Sequence, residues 1–194
     1  INDSRAEGPE ASLLALSDPT GGAILGAQRT AVLTIQDNDS AGSLQFEKGT
    51  YAVNESTGLP IKVKRAGGKA SEVSVDVMVT GGTATPGTDY AIPGALVPNS
   101  LVRLTFGTSQ TSASFTIVPV NDSDVEPDET VELKLQNPTG SATIGNQHTT
   151  RATVVDDDRL GTFQLATAAY TVVESNGTVP LLVTRTGPTG APAS

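Results

Sequence analysis

Cysteine is absent from this 194-residue chain, and so is tryptophan; methionine and histidine occur once each, and the aromatic residues are three Tyr and four Phe. Without cysteine there is no disulfide staple and no thiolate metal site. That fits a reducing compartment, and equally a surface array braced by metal ions. Basic residues are short as well: 12 Lys and Arg against 21 Asp and Glu leave a net charge of -9 and a pI near 4.4. Such a balance disfavours nucleic acid, whose phosphates demand basic patches, and anionic membrane surfaces. No apolar run approaches the ~18 residues a membrane span requires, and no charged–apolar–small signal peptide opens the chain.

What the chain does have is a repeat. Residues 2–39 align without a gap on residues 121–158, a spacing of 119, and the register continues from Gly42 onto Gly161. At this offset 24 of the first 58 positions are identical. A period of that length exceeds the ~20–50 residues of helical or leucine-rich solenoid units and suits a β-sandwich of about 100 residues. The chain therefore reads as an excerpt of a tandem array. Residues 40–158 form one complete module, 1–39 the C-terminal part of the module before it, and 159–194 the N-terminal part of the next.

Period-two alternation is the prevailing pattern, and helix signals are missing. Val73, Val75, Val77 and Val79 alternate with Ser74, Asp76 and Met78, as a half-buried strand would. Ile61 and Val63 alternate with Lys62 and Lys64, Phe115 and Ile117 with Ser114 and Thr116, and Val131, Leu133 and Leu135 with Glu132 and Lys134. Leu104 and Phe106 end another run, and the last strand of the module covers 150–155. Turn residues separate these runs: Ala66-Gly67-Gly68, Gly81-Gly82, Thr85-Pro86-Gly87, Pro93-Gly94, Pro98-Asn99 and Asn137-Pro138-Thr139-Gly140. Seven or so short strands so spaced make an all-β, immunoglobulin-like antiparallel sandwich.

The carboxylates are clustered rather than spread. Glu55 ends a strand, Asp89 precedes Tyr90, Asp122, Asp124, Glu126, Asp128 and Glu129 crowd one loop, and Asp156, Asp157 and Asp158 close the module. If these segments share one pole of the sandwich, like charges repel and raise each other's pKa. A hard dication taking six to eight oxygen ligands removes that cost; Ca²⁺ suits a flexible carboxylate-dense loop better than Mg²⁺ with its tight octahedral shell. A solvated acidic face needs no register, yet Asp3, Glu7 and Glu10 recur as Asp122, Glu126 and Glu129, and Asp37 and Asp39 as Asp156 and Asp158.

The set YAVNE, GGTATPGTDY, NDSDVEPDE and the closing DDD resembles the Calx-beta module of sodium/calcium exchangers, integrin β4 and large bacterial surface proteins. The resemblance covers the central module and both flanks. It implies Ca²⁺ as the bound ion and Glu55, Asp89, Asp122, Glu126, Asp156, Asp157 and Asp158 as ligands, with Glu129 a further candidate. Asn121 and Asn38 stand where an exchanger-type site tends to have Asp, so one to three ions per site are expected. The first fragment keeps Asp3, Glu7, Asp37 and Asp39, and the last only Glu174. Both lack a counterpart of 76–119, so neither completes a sandwich.

Other chemistries are excluded or unsupported. Asp37-Asn38-Asp39 begins like an EF-hand, but position five is Ala41 and position twelve Lys48, where that loop needs Glu. Gly67-Gly68-Lys69 lacks the upstream glycine of a phosphate loop. His148 has no nucleophile motif near it and reads as an exposed strand residue; Tyr51 and Tyr170 read as core or strand-edge residues. Paired carboxylates with so few aromatics make a poor glycosidase. Asn2, Asn38, Asn54, Asn121 and Asn176 open Asn-x-Ser/Thr triplets, which also suit turns.

The expectation is a non-enzymatic, calcium-binding structural repeat of a large extracellular or cell-surface protein, an adhesin, matrix or fibre subunit of bacterial type. Its partners would be neighbouring modules of the array and a surface or matrix ligand, or its own kind in a fibre; nucleic acid and membrane insertion are not expected. The alternatives are a regulatory calcium sensor, as in exchangers, and an accessory domain of a secreted enzyme.

Overall fold

A computed structural model describes residues 2–187 of the chain. The first fragment is a hairpin of β1 (Glu10–Ala15) and β2 (Thr30–Ile35). The central module follows with β3 (Ser43–Phe46), β4 (Thr50–Asn54), β5 (Leu59–Ala66), β6 (Val73–Gly82) and β7 (Tyr90–Ala91). It continues through β8 (Leu101–Phe106), β9 (Ser112–Pro119), β10 (Glu129–Gln136), β11 (Thr143–Ile144) and β12 (Thr149–Val155). The last fragment pairs β13 (Thr162–Leu165) with β14 (Val183–Thr186), with a single 3-10 turn at Glu174–Asn176 between them.

The ten strands of the central module form two five-stranded sheets, ordered β4-β12-β10-β6-β8 and β11-β3-β5-β9-β7. Each strand turns its alternate side chains inward, so Leu44, Phe46, Ile61, Val63, Val75, Val77, Phe106, Ile117, Leu133 and Leu135 close one core between the sheets. The all-β sandwich expected from the alternation is the observed fold. Two polar side chains depart from the inside–outside pattern. Asp76, read as the solvent side of its strand, is buried because Arg103 on the paired β8 covers it with two hydrogen bonds (2.7 and 3.1 Å) and Asn137 donates a third at 3.1 Å. Arg65 continues the inward phase of Leu59, Ile61 and Val63 and is also buried.

The repeat reappears as strand register. Glu10 faces Ile35 across β1–β2, and their counterparts 119 residues on, Glu129 and Val154, face each other across β10–β12. In β13–β14, Phe163 faces Arg185 as Leu44 faces Arg65; one inserted residue between Gly177 and Pro180 accounts for the offset. Both flanking hairpins expose the side chains that the central module buries. Leu14 and Leu16, equivalent to buried Leu133 and Leu135, are 50% and 65% exposed. Each hairpin is a two-stranded sheet with no facing sheet among the described residues. His148 is exposed and lies immediately before β12, and Tyr51 lies on edge strand β4, its hydroxyl donating to the Lys62 carbonyl as that of Tyr170 does to Leu182.

The first fragment touches the central module at one pole, formed by loops 67–72, 107–111 and 137–142. Ser71 N–H donates to the Ser4 carbonyl (3.2 Å), Ala6 N–H donates to the Ser71 hydroxyl (2.9 Å), and Ala6 packs against the core. Gly68 is needed here, because a Cβ at that position would lie 2.1 Å from the Ser40 carbonyl.

Candidate metal centre

The opposite pole is built by four strand ends. β4 and β12 run parallel, so both finish there: Asn54 pairs with Val155, Glu55 N–H donates to the Val155 carbonyl at 3.2 Å, and Glu55 falls beside Asp156. β10 is antiparallel to β12 and therefore starts at this pole with Glu129. β7 pairs with β9 so that Tyr90 faces Pro119, and Val120 N–H donates to the Asp89 carbonyl (2.9 Å), setting Asp89 at the mouth of the 120–128 loop. The β6–β10 register skips Thr80, just before Gly81 and Gly82. Gly82 has φ +123, and a Cβ there would sit 2.0 Å from the Thr130 carbonyl, next to Glu129.

Glu55, Asp156 and Asp158 each present a carboxylate oxygen, and the three oxygens lie within 4.8 Å of one another. That is the span across one ion with oxygen ligands at about 2.4 Å. Glu55 is only 8% exposed, and one oxygen of Asp158 (Oδ2) is buried without a hydrogen-bond partner among the described residues. A buried anionic oxygen without a donor is costly unless a cation faces it. No Lys or Arg is ion-paired to these three carboxylates among the described residues.

Backbone and hydroxyl donors orient part of the cluster. Asp124 N–H donates to Asp122 (2.8 Å), Asp158 N–H to Asp156 (3.4 Å), Ser56 Oγ to Asp157 (3.0 Å), and Thr85 N–H to Asp89. Burial pushes Glu55 above the usual carboxylate range, and the charges of Asp156, Asp122, Asp158 and Asp157 push it further. Asp158 is raised by desolvation and then by Asp156, Asp157, Asp122 and Asp124. Glu126 rises by desolvation and then through Asp122, Asp89, Asp124 and Asp156. Glu129 is raised to about 7 by burial, a hydrogen bond shared with Asp89 and the neighbouring charges of Asp89, Glu126 and Glu55.

All eight candidate ligands therefore lie at one pole: Glu55, Asp156 and Asp158 at its centre, Asp122 and Asp157 beside them, and Asp89, Glu126 and Glu129 as an adjoining group. Asp124 of the same acidic loop is not in the ligand set implied by the resemblance, yet its charge reaches both Glu126 and Asp158. It was visible within NDSDVE, but the repeat has Arg5 at its place and so gave it no support. In the first fragment Asn2, Asp3, Glu7, Asp37 and Asp39 line a cleft of about 240 Å³, and Glu7 N–H donates to Asp37 (2.7 Å).

The Calx-beta domain model matches residues 37–158 and again 156–191. The chain belongs to the Calx-beta family. It is 31% identical over 194 residues to the extracellular matrix organizing protein FRAS1 of Mus musculus, covering 96% of this chain and 5% of that protein. It is 28% identical over 151 residues to the sodium/calcium exchanger Calx of Drosophila melanogaster, covering 77% of this chain and 15% of the exchanger. Among solved structures, the calcium binding domain CBD12 of CALX1.1 superposes with a TM-score of 0.54 at 26% identity, over 68% of this chain and 52% of that one. The chain thus spans a small part of the curated relatives it matches. Those named here are animal proteins, one of them named for the extracellular matrix and the other an exchanger. They lend no support to a bacterial source.

The shifted acids of this Calx-beta pole give a pH dependence of definite sign. Between the ordinary glutamate value of 4.5 and about 7, folded Glu129 holds more proton than the unfolded chain, so ion-free stability falls as pH rises through that window. Glu55, Glu126 and Asp158 act in the same direction. Asp37, Glu47 and Asp76 are shifted downward, and their contribution is lost only as pH falls below the ordinary carboxylate range. Metal-stripped protein is expected to melt a few degrees higher at pH 5 than at pH 8 in calorimetry. Equal or reversed melting temperatures would contradict the uncompensated cluster.

Proposed function

We propose that this stretch is a non-catalytic, calcium-braced segment of a rod-like array in a large extracellular surface, matrix or fibre protein. Ca²⁺ sits at the pole of each module, held in the central one by Glu55, Asp156 and Asp158 with Asp122, Asp157, Asp89, Glu126 and Glu129 around them. The donor set is all oxygen and acidic, which suits a hard dication of flexible coordination. One observation carries the mechanical part of the reading. In the first fragment the same short stretch reaches its own acidic cleft through Glu7 and Asp37, and clasps the next module through Ser4 and Ala6 on Ser71. An ion ordering that loop would also order the seam.

A calorimetric calcium titration of the chain tests this. Saturation at ~0.1–1 mM fits a site kept full outside cells, whereas saturation below ~10 μM fits a regulatory sensor. The sensor reading is favoured by the likeness to an exchanger over 77% of the chain. Replacing Asp156 and Asp158 together by Asn is expected to weaken calcium at least tenfold. Since the same change removes repulsion, it should raise the melting temperature of the metal-free protein. A double variant that binds calcium as the parent does would place the site elsewhere.

A further inference from the structure

We infer that the seam where edge strand β4 of one sheet passes β5 of the other carries a binding groove for a sulfated polysaccharide, with Lys48 and Lys62 on its walls and Lys64 beside it. The groove has a volume of about 780 Å³, and Lys48, Tyr51, Pro60, Lys62, Ser114 and Thr153 contribute to its walls. Lys62 and Lys64 are successive outward positions of β5 and therefore stand about 7 Å apart along the strand. The paired strand β9 sets Ser112, Ser114 and Thr116 opposite Lys64, Lys62 and Pro60, which adds a row of hydroxyls beside the ammonium groups. Edge strand β4 supplies the other wall, where Lys48 Nζ lies 5.7 Å from the centre of the Tyr51 ring.

This patch runs against the charge of the whole chain. Three lysines share one acid, Glu47, which lies 2.9 Å from Lys64 and 3.8 Å from Lys62. Glu47 spaces the two ammonium groups and leaves the face with a net positive charge in a chain of net -9. The repeat serves as an internal control. Tyr51, Pro60 and Arg65 keep their identity in the following module as Tyr170, Pro180 and Arg185, so they belong to the fold. Glu47, Lys48, Lys62 and Lys64 become Ala166, Thr167, Leu182 and Thr184 together. The sandwich does not require the charged set, which is absent from the following repeat.

The chemistry of the groove selects its ligand. Spaced ammonium groups bind sulfate or carboxylate groups carried at intervals along an extended polymer, and the hydroxyl row matches sugar hydroxyls. A nucleic acid would need stacking platforms that one tyrosine does not provide. An acidic pole of a second copy is a weaker ligand once calcium has neutralised it.

The test is calorimetric binding of a heparin-derived octasaccharide to the whole chain in 2 mM calcium, at low and at moderate salt. Saturable binding that weakens with salt is expected, because exposed charge pairs are screened. Lys62→Ala with Lys64→Ala should lower affinity at least tenfold, Glu47→Gln should raise it about threefold, and the fully desulfated octasaccharide should not bind. Asp156→Asn with Asp158→Asn, which alters the metal pole, should bind the sugar as the parent does. Undiminished binding by the lysine variant, no saturable binding at all, or self-association of the chain abolished by the lysine changes without sugar binding would each overturn the assignment. Circular dichroism of each variant shows that the sandwich has kept its fold.

Discussion

Stripping calcium from the loaded protein at pH 7.5 is expected to lower the melting temperature of the central module by about 10 °C. An ion that binds only the folded state stabilises it by about 2.7 kcal/mol at a free concentration of 100 Kd, and each kcal/mol moves a domain of this size by about 4 °C. The unfolded chain offers no competing site, because Glu55, Asp122 and Asp156 are 34 to 101 residues apart in sequence and meet only through strand pairing. Without the ion, burial and mutual charge hold Glu55 and Asp158 above their ordinary pKa values, and the Asp158 Oδ2 atom has no donor among the described residues. Magnesium should restore only part of the loss, since its octahedral shell keeps water that a crowded carboxylate pole displaces poorly. Differential scanning calorimetry with and without excess chelator reads the effect. A melting temperature indifferent to chelator would remove the calcium-bracing reading.

The second large effect is expected at the other pole. Replacing Arg65 by Ala should destabilise the central module by about 4 kcal/mol, measured by urea unfolding. The guanidinium lies at the end of the core, 4% exposed, and its acceptors are main-chain carbonyls. Nε donates to Ala41 (2.8 Å), Nη1 to Gly107 (3.3 Å) and Nη2 to Ser71 (3.1 Å) and Ala70. Removing it leaves four partly or fully buried carbonyls short of a donor, at roughly 1 kcal/mol each for ordinary bonds and more for bonds to a charged group. Lysine should recover little, because a single ammonium cannot reach three loops as the planar fork does. One of these loops carries Ser71, on which Ser4 and Ala6 of the N-terminal segment rest. Arg65→Ala should therefore also increase hydrogen exchange at the Ala6 and Ser71 amides. A loss below 1 kcal/mol would show that water replaces the guanidinium.

Much of the fold was legible because its signals are local. Alternation in β5, β9 and β10 records which side of each strand is dry, and Gly and Pro mark where strands stop. The repeat was legible for the same reason, and the paired registers Glu10–Ile35 and Glu129–Val154 show that identical spacing produced identical pairing. Asp76 was not legible. Its strand phase points outward, and only the partners brought by β8 and the 137–142 loop, Arg103 and Asn137, bury it. Arg65 left a signal that periodicity could have caught, a charge continuing the apolar phase of Leu59, Ile61 and Val63.

The acidic clusters show where the division falls. Composition and spacing alone determined that the chain folds as a β-sandwich and that its carboxylates gather in four segments, because side-chain alternation and turn chemistry are written within a few residues. Which carboxylates meet was decided only by the tertiary structure. The parallel pairing of β4 with β12 carries Glu55 to Asp156, the β7–β9 pairing carries Asp89 to the 120–128 loop, and crowding among them brings in Asp124. Strand pairing joins residues a hundred positions apart, and no local pattern encodes a partner at that distance.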